Sequence, residues 1–285
     1  MNDKVVLITG ATNGIGKAAA LALAKQGATV VIVGRSAAKT EETAAEIRQQ
    51  SGVTVDSFLA DLSSMAEVRR LAGEFQQRYS RLDVLVNNAG AFYAKREVSV
   101  DGYEMTFALN HLSYFLLTNL LLDLLKASAP SRIVNVSSDA HRGAKINLED
   151  LQLETGYSAM GPAYGRSKLA NILFSYELAR RLDGTGVTVN ALHPGLVATG
   201  FAANNAGLVM QMFRLVTRLF GKTPEQGAET IVHLASSPEV EGVTGKYWSQ
   251  RKAVDSSEVS YNVDDQKRLW EMSAEMTGLG VATTG

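Results

Sequence analysis

Cysteine is absent from the 285 residues, which excludes disulfides, thiolate nucleophiles and cysteine-ligated metals and fits a reducing compartment. An excess of one charge is missing too. Lys and Arg number 28 against 29 Asp and Glu, for a formal net charge of −1. No basic run gathers them, so the phosphate-neutralising footprint of a nucleic-acid partner is not there. Long apolar runs are also lacking. The longest, residues 112–125, contains Ser113, Thr118, Asn119 and Asp123, whereas a membrane span needs roughly 20 mostly apolar residues. It reads as a buried helix. The apolar run 5–8 is too short for a signal-peptide core and leads straight into a glycine motif. The expectation is a soluble, cytoplasmic chain with no transmembrane anchor. The four histidines, His111, His141, His193 and His233, form no close pair at ligand spacing, so no metal site is expected.

What is present is an ordinary globular composition, 46% hydrophobic and 20% charged. Without linker, repeat or low-complexity tract, it predicts a single domain over residues 1–285. Short β-branched runs at 5–9, 29–33, 53–59, 84–87, 132–137, 187–192 and 245–248 alternate with helical patterns at 14–26, 37–50, 65–79, 103–126, 164–182 and 224–235. Apolar runs of this length suit parallel strands buried on both faces. The alternation predicts an α/β fold, a doubly wound Rossmann-type sheet of seven parallel strands flanked by helices. Two long connections, 139–162 and about 195–222, follow the fifth and sixth strands, where ligands sit in such sheets. In the tail, about 249–285, residues 263–276 read as a helix with Trp270 as its anchor.

The first strand runs into Thr9-Gly10-Ala11-Thr12-Asn13-Gly14-Ile15-Gly16 and then a helix. Glycines there permit a tight turn and a close backbone approach to a pyrophosphate at the positive helix end. Gly10, Thr12, Asn13, Gly14, Ile15 and Gly16 are therefore candidate cofactor contacts. An NAD site would place Asp or Glu about 20 residues further on, against the ribose hydroxyls. Here Val33 is followed by Gly34-Arg35-Ser36, with no carboxylate. A guanidinium suits a 2′-phosphate, with Ser36 and Lys39 assisting, so NADP(H) is expected. The plainer alternative is an Arg solvated at a helix start.

Tyr164 and Lys168 stand four apart on a predicted helix and share one face. A free phenol titrates near 10, and a neighbouring ammonium lowers that value. Such a pair is a workable acid/base unit.

Together these motifs resemble the short-chain dehydrogenase/reductase family, from Lys4 to about Gly245. The glycine turn is similar to that family's Thr-Gly-x-x-x-Gly-x-Gly. The resemblance places Asp61 and Leu62 at the adenine, and Asn87, Ala89 and Gly90 of Asn-Asn-Ala-Gly along the cofactor. It makes Asn110 the holder of a relay water and Ser138 the serine bonded to the substrate oxygen. Tyr164 becomes the proton donor, with Lys168 on the nicotinamide ribose. Pro194, Gly195, Val197 and Thr199 fall beside the nicotinamide. Ser138 and Tyr164 are 26 positions apart, and this long spacing resembles the retinol dehydrogenase subgroup, as do Ser167-Lys168-Leu169-Ala170-Asn171 and His193-Pro194-Gly195. The activity implied is NADP(H)-dependent hydride transfer on a small-molecule carbonyl or alcohol, of lipophilic class. An NADP(H)-binding sensor without turnover would be expected to lack Ser138, Tyr164 or Lys168. Residues 207–220, rich in Leu, Val, Met and Phe, read as a substrate lid, a core helix or a membrane contact. Helices 112–125 and 164–182 suit either a homo-oligomer interface or burial in a monomer.

Overall fold

The computed structural model describes residues 1–197 and 221–280. One sheet organises them, in the order β3-β2-β1-β4-β5-β6-β7-β8. These strands are β1 (Val5–Thr9), β2 (Thr29–Gly34), β3 (Val55–Leu59), β4 (Val84–Asn87), β5 (Ser131–Val136), β6 (Val187–His193), β7 (Lys246–Ser249) and β8 (Lys252–Val254). β1 to β7 are parallel, and the order reverses between β1 and β4. That reversal opens a crevice at the strands' carboxyl ends, where ligands bind in this architecture.

Strand alternation sends successive apolar side chains to opposite faces, and both faces are covered. Leu7, Val31, Leu85 and Ile133 pack toward α3 (Met65–Arg78), α5 (Ser113–Leu120) and α7 (Arg166–Arg181). Val6, Ile8, Val30, Ile32 and Val86 pack toward α1 (Gly14–Lys25), α2 (Ala37–Ser51) and the helix Pro224–Ser236. That last helix starts on a capping box between Thr223 and Gln226, with Pro224 in its first turn.

Three features differ from the pattern predicted above. First, the sheet has eight strands, the added edge strand β8 being antiparallel to β7. The turn into it places Gln250 at φ 50° and Arg251 at φ 62°. Neither is the Asn or Gly that advertises such a turn, and β8 is short and exposed. Second, the helix predicted over 103–126 is broken into α4 (Met105–Phe107), a wide π-turn at Ala108–Leu112, α5, and α6 (Leu122–Ala127). Third, the helix predicted from 164 begins at Arg166, behind a second π-turn over Ala159–Gly165 that contains Pro162.

The C-terminal helix Val263–Met276 forms as predicted. Trp270 lies 4.9 Å from Phe115 and 5.8 Å from Phe174, under the Arg181 guanidinium at 4.3 Å. The chain's own tail thus packs on α5 and α7, the two helices that suit a subunit interface. Among the described residues, no helix is long and apolar enough to cross a membrane.

Candidate active site

The turn between β1 and α1 is closed by contacts that only glycine permits. Gly10 has φ +64°, and a Cβ there would stand 2.7 Å from Ala89 Cα. A Cβ on Gly16 would stand 2.4 Å from Asn88 Nδ2. Asn88 Nδ2 donates to Thr9 O (2.9 Å) and Gly10 O (3.0 Å), and Thr9 Oγ1 accepts from Asn88 N and Ala89 N. The end of β4 is stapled to the glycine turn in this way. Asn13 caps α1 without a side-chain bond, and the first turn of α1 carries no acid. Its leading N–H groups therefore remain available to an anion, as a pyrophosphate site requires.

A cavity of about 790 Å³ runs over this turn. Eighteen of the expected site residues line it: Gly10, Thr12, Asn13, Gly14, Ile15, Gly16, Arg35, Ser36, Lys39, Leu62, Ala89, Gly90, Ser138, Tyr164, Lys168, Pro194, Gly195 and Val197. Asp61, Asn87 and Asn110 are not among the lining residues, and Thr199 lies outside the described residues. The Asp61 carboxylate accepts from Ser63 N and Ser63 Oγ. Asn87 is fully buried and donates to Thr118 Oγ1 and Asn135 Oδ1, tying β4 to α5 and β5. Its neighbour Asn88 lines the cavity instead. Ser36 caps α2, its hydroxyl accepting from Lys39 N. The wall also includes Ser137, Ala140 and Leu196, which the motifs do not single out. Burial raises the Tyr93 phenol, and the Arg35 charge opposes that rise.

At the other end of the cavity four polar side chains converge. Ser138 follows β5 and caps a short turn, Asp139–Gly143, its Oγ accepting from Ala140 N at 3.2 Å. Tyr164 sits in the π-turn before α7, and the Ser138 hydroxyl acts on its phenol, pulling its pKa down. Lys168, in the first turn of α7, places Nζ 5.7 Å from the Tyr164 ring centroid and donates to Val136 O at 3.0 Å. Asn110 projects from the other π-turn, accepting from Ala91 N and donating to Ala91 O and Ser167 Oγ. A Cβ on Gly90 would lie 3.2 Å from Asn110 Oδ1 and 3.3 Å from Lys168 Nζ. Glycine at 90 is what lets these two side chains approach each other. Both π-turns sit beside catalytic-type residues, a common place for such widened turns.

Burial sets the electrostatics. It pushes the Tyr164 phenol up to about 12, with the Ser138 hydroxyl pulling the other way. It pushes Lys168 down to about 7. The lowered phenol expected from the neighbouring ammonium is therefore not found. Desolvation sets the phenol's shift, and the same burial disfavours the lysine charge that was to do the lowering.

Known proteins agree with this arrangement. Residues 4–207 match the family model described as short chain dehydrogenase. The chain belongs to the short-chain dehydrogenase family. It is retinol dehydrogenase-like within it: retinol dehydrogenase 14 of Mus musculus is 46% identical over 293 residues, covering 98% of this chain and 87% of the relative. An uncharacterised protein of Mycobacterium paratuberculosis superposes with a TM-score of 0.78 at 31% identity, covering 97% of this chain and 94% of that one. The Pseudomonas aeruginosa RhlG/NADP active-site complex superposes at 0.69, also at 31% identity, over 87% of this dehydrogenase and 94% of RhlG. A member of this family takes a nicotinamide cofactor, and the glycine-lined cavity over the amino end of α1 fits a dinucleotide.

Proposed function

We propose that this dehydrogenase uses NADP(H) to interconvert a lipophilic carbonyl compound and its alcohol, with Tyr164 as proton donor. The observation that carries the reading is one continuous cavity, with Arg35, Ser36 and Lys39 at one end and Ser138, Tyr164 and Lys168 at the other. Nicotinamide, when bound, supplies the hydride for reduction or accepts it in oxidation. The protein's part is to hold the substrate oxygen and move a proton. Ser138 Oγ receives the Ala140 N–H on a lone pair, which leaves its own proton to donate toward the cavity. Ser138 Oγ–H and Tyr164 Oη–H then withdraw charge from the carbonyl oxygen as it becomes an alkoxide, usually the largest contribution in such chemistry. An alkoxide is far more basic than a phenolate, so a phenol held near 12 still gives up its proton downhill. Lys168 would pass the replacement proton inward, with Asn110, which converges with it on Gly90, holding the relay water.

Lipophilic substrates are favoured by the surroundings of the phenol. Phe92, Ala140 and Ala159 pack around Tyr164, the Phe92 ring 6.2 Å away and edge-on. The retinol dehydrogenases at more than 40% identity support the same class. The absence of a carboxylate after β2, the exposed Arg35 at the cavity's far end, and a relative solved with NADP support the phosphorylated cofactor. Asp61 and Thr199 are proposed to join the adenine and the carboxamide; residues 207–220, the proposed lid, lie outside the described residues.

The test is NADPH oxidation against aldehydes and ketones of graded size, with NADH as control. Turnover that rises with chain length under NADPH is expected, and silence across a broad panel would return the chain to the sensor reading. The cofactor assignment has its own check. Arg35→Asp is expected to raise the NADPH KM about 10- to 100-fold, the loss of charge-assisted hydrogen bonds worth about 1.5–3 kcal/mol. The NADH KM should stay within about threefold. Equal effects on both cofactors would remove Arg35 from the phosphate.

A further inference from the structure

His141 takes no part in the chemistry above, yet it is fully buried three residues after Ser138. Its two ring nitrogens meet partners that leave no choice of protonation. Nε2 lies 3.0 Å from the backbone N of Ser257, which can only donate. Nε2 must therefore present its lone pair. Nδ1 lies 2.7 Å from the carbonyl oxygen of Ser138, which can only accept. Nδ1 must therefore carry the hydrogen. Two unrelated segments of backbone dictate the same neutral tautomer.

We propose that His141 is a positioning residue: its Nδ1–H clamps the Ser138 carbonyl while its Nε2 is held by the tail segment 255–261. The proposal rests on the reading of Ser138 as the group that binds the substrate oxygen. Ser138 O accepts from His141 N at 3.2 Å as well as from the ring, and Ser138 Oγ accepts from Ala140 N. Two side chains of this turn are anchored on the tail segment: Arg142, which bonds Asp139 Oδ1 and the Asp255 carbonyl, and His141, whose ring bond is the one that reaches Ser138. That anchor is well seated. Ser256 Oγ bonds the Tyr176 hydroxyl of α7 at 2.7 Å and Ser260 Oγ at 2.6 Å, and Tyr261 stacks on Tyr176 at 5.5 Å. α7 also carries Lys168. Ser138 and Lys168 are thus referenced to one support, the precision that a hydrogen-bond donor aimed at a developing oxyanion needs.

The groups facing the imidazole agree with a neutral ring. Tyr247 of β7 packs edge-on at 4.9 Å, with its hydroxyl 3.4 Å from Nδ1, and His193 of β6 stacks on Tyr247 at 5.8 Å. Burial shifts His141 below its ordinary range; the bond to the Ser138 carbonyl and the Asp139 charge oppose that shift, and Arg142 and His193 add to it. A second ring proton would point Nε2–H at the Ser257 N–H, donor against donor.

Two readouts test this. In the ¹⁵N-histidine spectrum of the whole protein near neutral pH, the resonances lost in His141→Asn are expected to be those of a neutral ring protonated on Nδ1. A ring protonated on Nε2, or on both nitrogens, overturns the proposal. This measurement needs no substrate, so it still decides if the proposed activity is itself not found. The kinetic arm uses the reach of two amides. Asn places its NH₂ where Nδ1 was, whereas Gln reaches the place of Nε2. His141→Ala is expected to lower kcat about tenfold with the NADPH dissociation constant within about twofold of the parent. His141→Asn should recover kcat to within about threefold, and His141→Gln should not. Equal kcat in the Asn and Ala variants, or equal rescue by Gln, would mean the ring only fills space.

Discussion

Tyr164→Phe is expected to cut turnover by about three orders of magnitude or more, the upper range for removing a general acid. Folding and NADPH binding should be unaffected. The phenyl ring keeps the packing against Phe92, Ala140 and Ala159 and loses only the hydroxyl that faces Ser138. Because burial holds the phenol near 12, the proton-bearing form predominates throughout the neutral range. The variant therefore loses a loaded acid, and changing pH between 6 and 9 should not restore it. Single-turnover absorbance at 340 nm, fluorescence titration with NADPH and a thermal melt separate the outcomes. A variant that melts and binds like the parent yet reduces nothing fits the proposal. Retention of more than about a tenth of the parent kcat would move the proton donor elsewhere.

The phenol's environment is also where sequence reasoning reached its limit. Strong periodicity made β1, β2, β4 and β6 readable to within one residue, because each is an apolar run buried on both faces. The glycine turn was readable because close backbone packing there is steric: a Cβ at Gly10 or Gly16 would meet Ala89 or Asn88. What failed depended on three-dimensional neighbours. Asn87 and Asn88 are adjacent and chemically identical, yet one is swallowed between β4, α5 and β5 while the other staples the turn. Strand alternation separates them only once the strand's end is known. Ser36, expected beside a phosphate, lines the cavity and also caps α2 through its hydroxyl, a second role that the motif does not reveal. The π-turns have no recognised sequence signature. The direction of the Tyr164 shift was misjudged because spacing reveals the partner Lys168 but not the depth at which both sit. The tie from His141 to Ser257 spans 116 positions and is invisible in any local pattern.

Lys168→Met carries the second large effect, in two opposite directions. Burial brings the ammonium from its ordinary 10.5 to about 7, so between those values the unfolded chain binds a proton that the native chain does not. Stability then rises with pH across that window, and the full cost of the buried charge is borne at and below about pH 7. A methionine of similar length escapes that cost. It gives up the bond to Val136 O, worth about 1 kcal/mol, whereas each pH unit of displacement corresponds to about 1.4 kcal/mol. The larger effect wins. The ligand-free variant is expected to melt a few degrees above the parent near pH 6, the advantage shrinking as pH approaches 10. Turnover should fall about a hundredfold or more, since Nζ lies 5.7 Å from the Tyr164 ring and 3.3 Å from where a Cβ on Gly90 would be. A lower melting point at pH 6, or an advantage independent of pH, would show that Lys168 is not held against its charge. A more stable protein that no longer turns over would mean that the lysine is kept for chemistry at the expense of the fold.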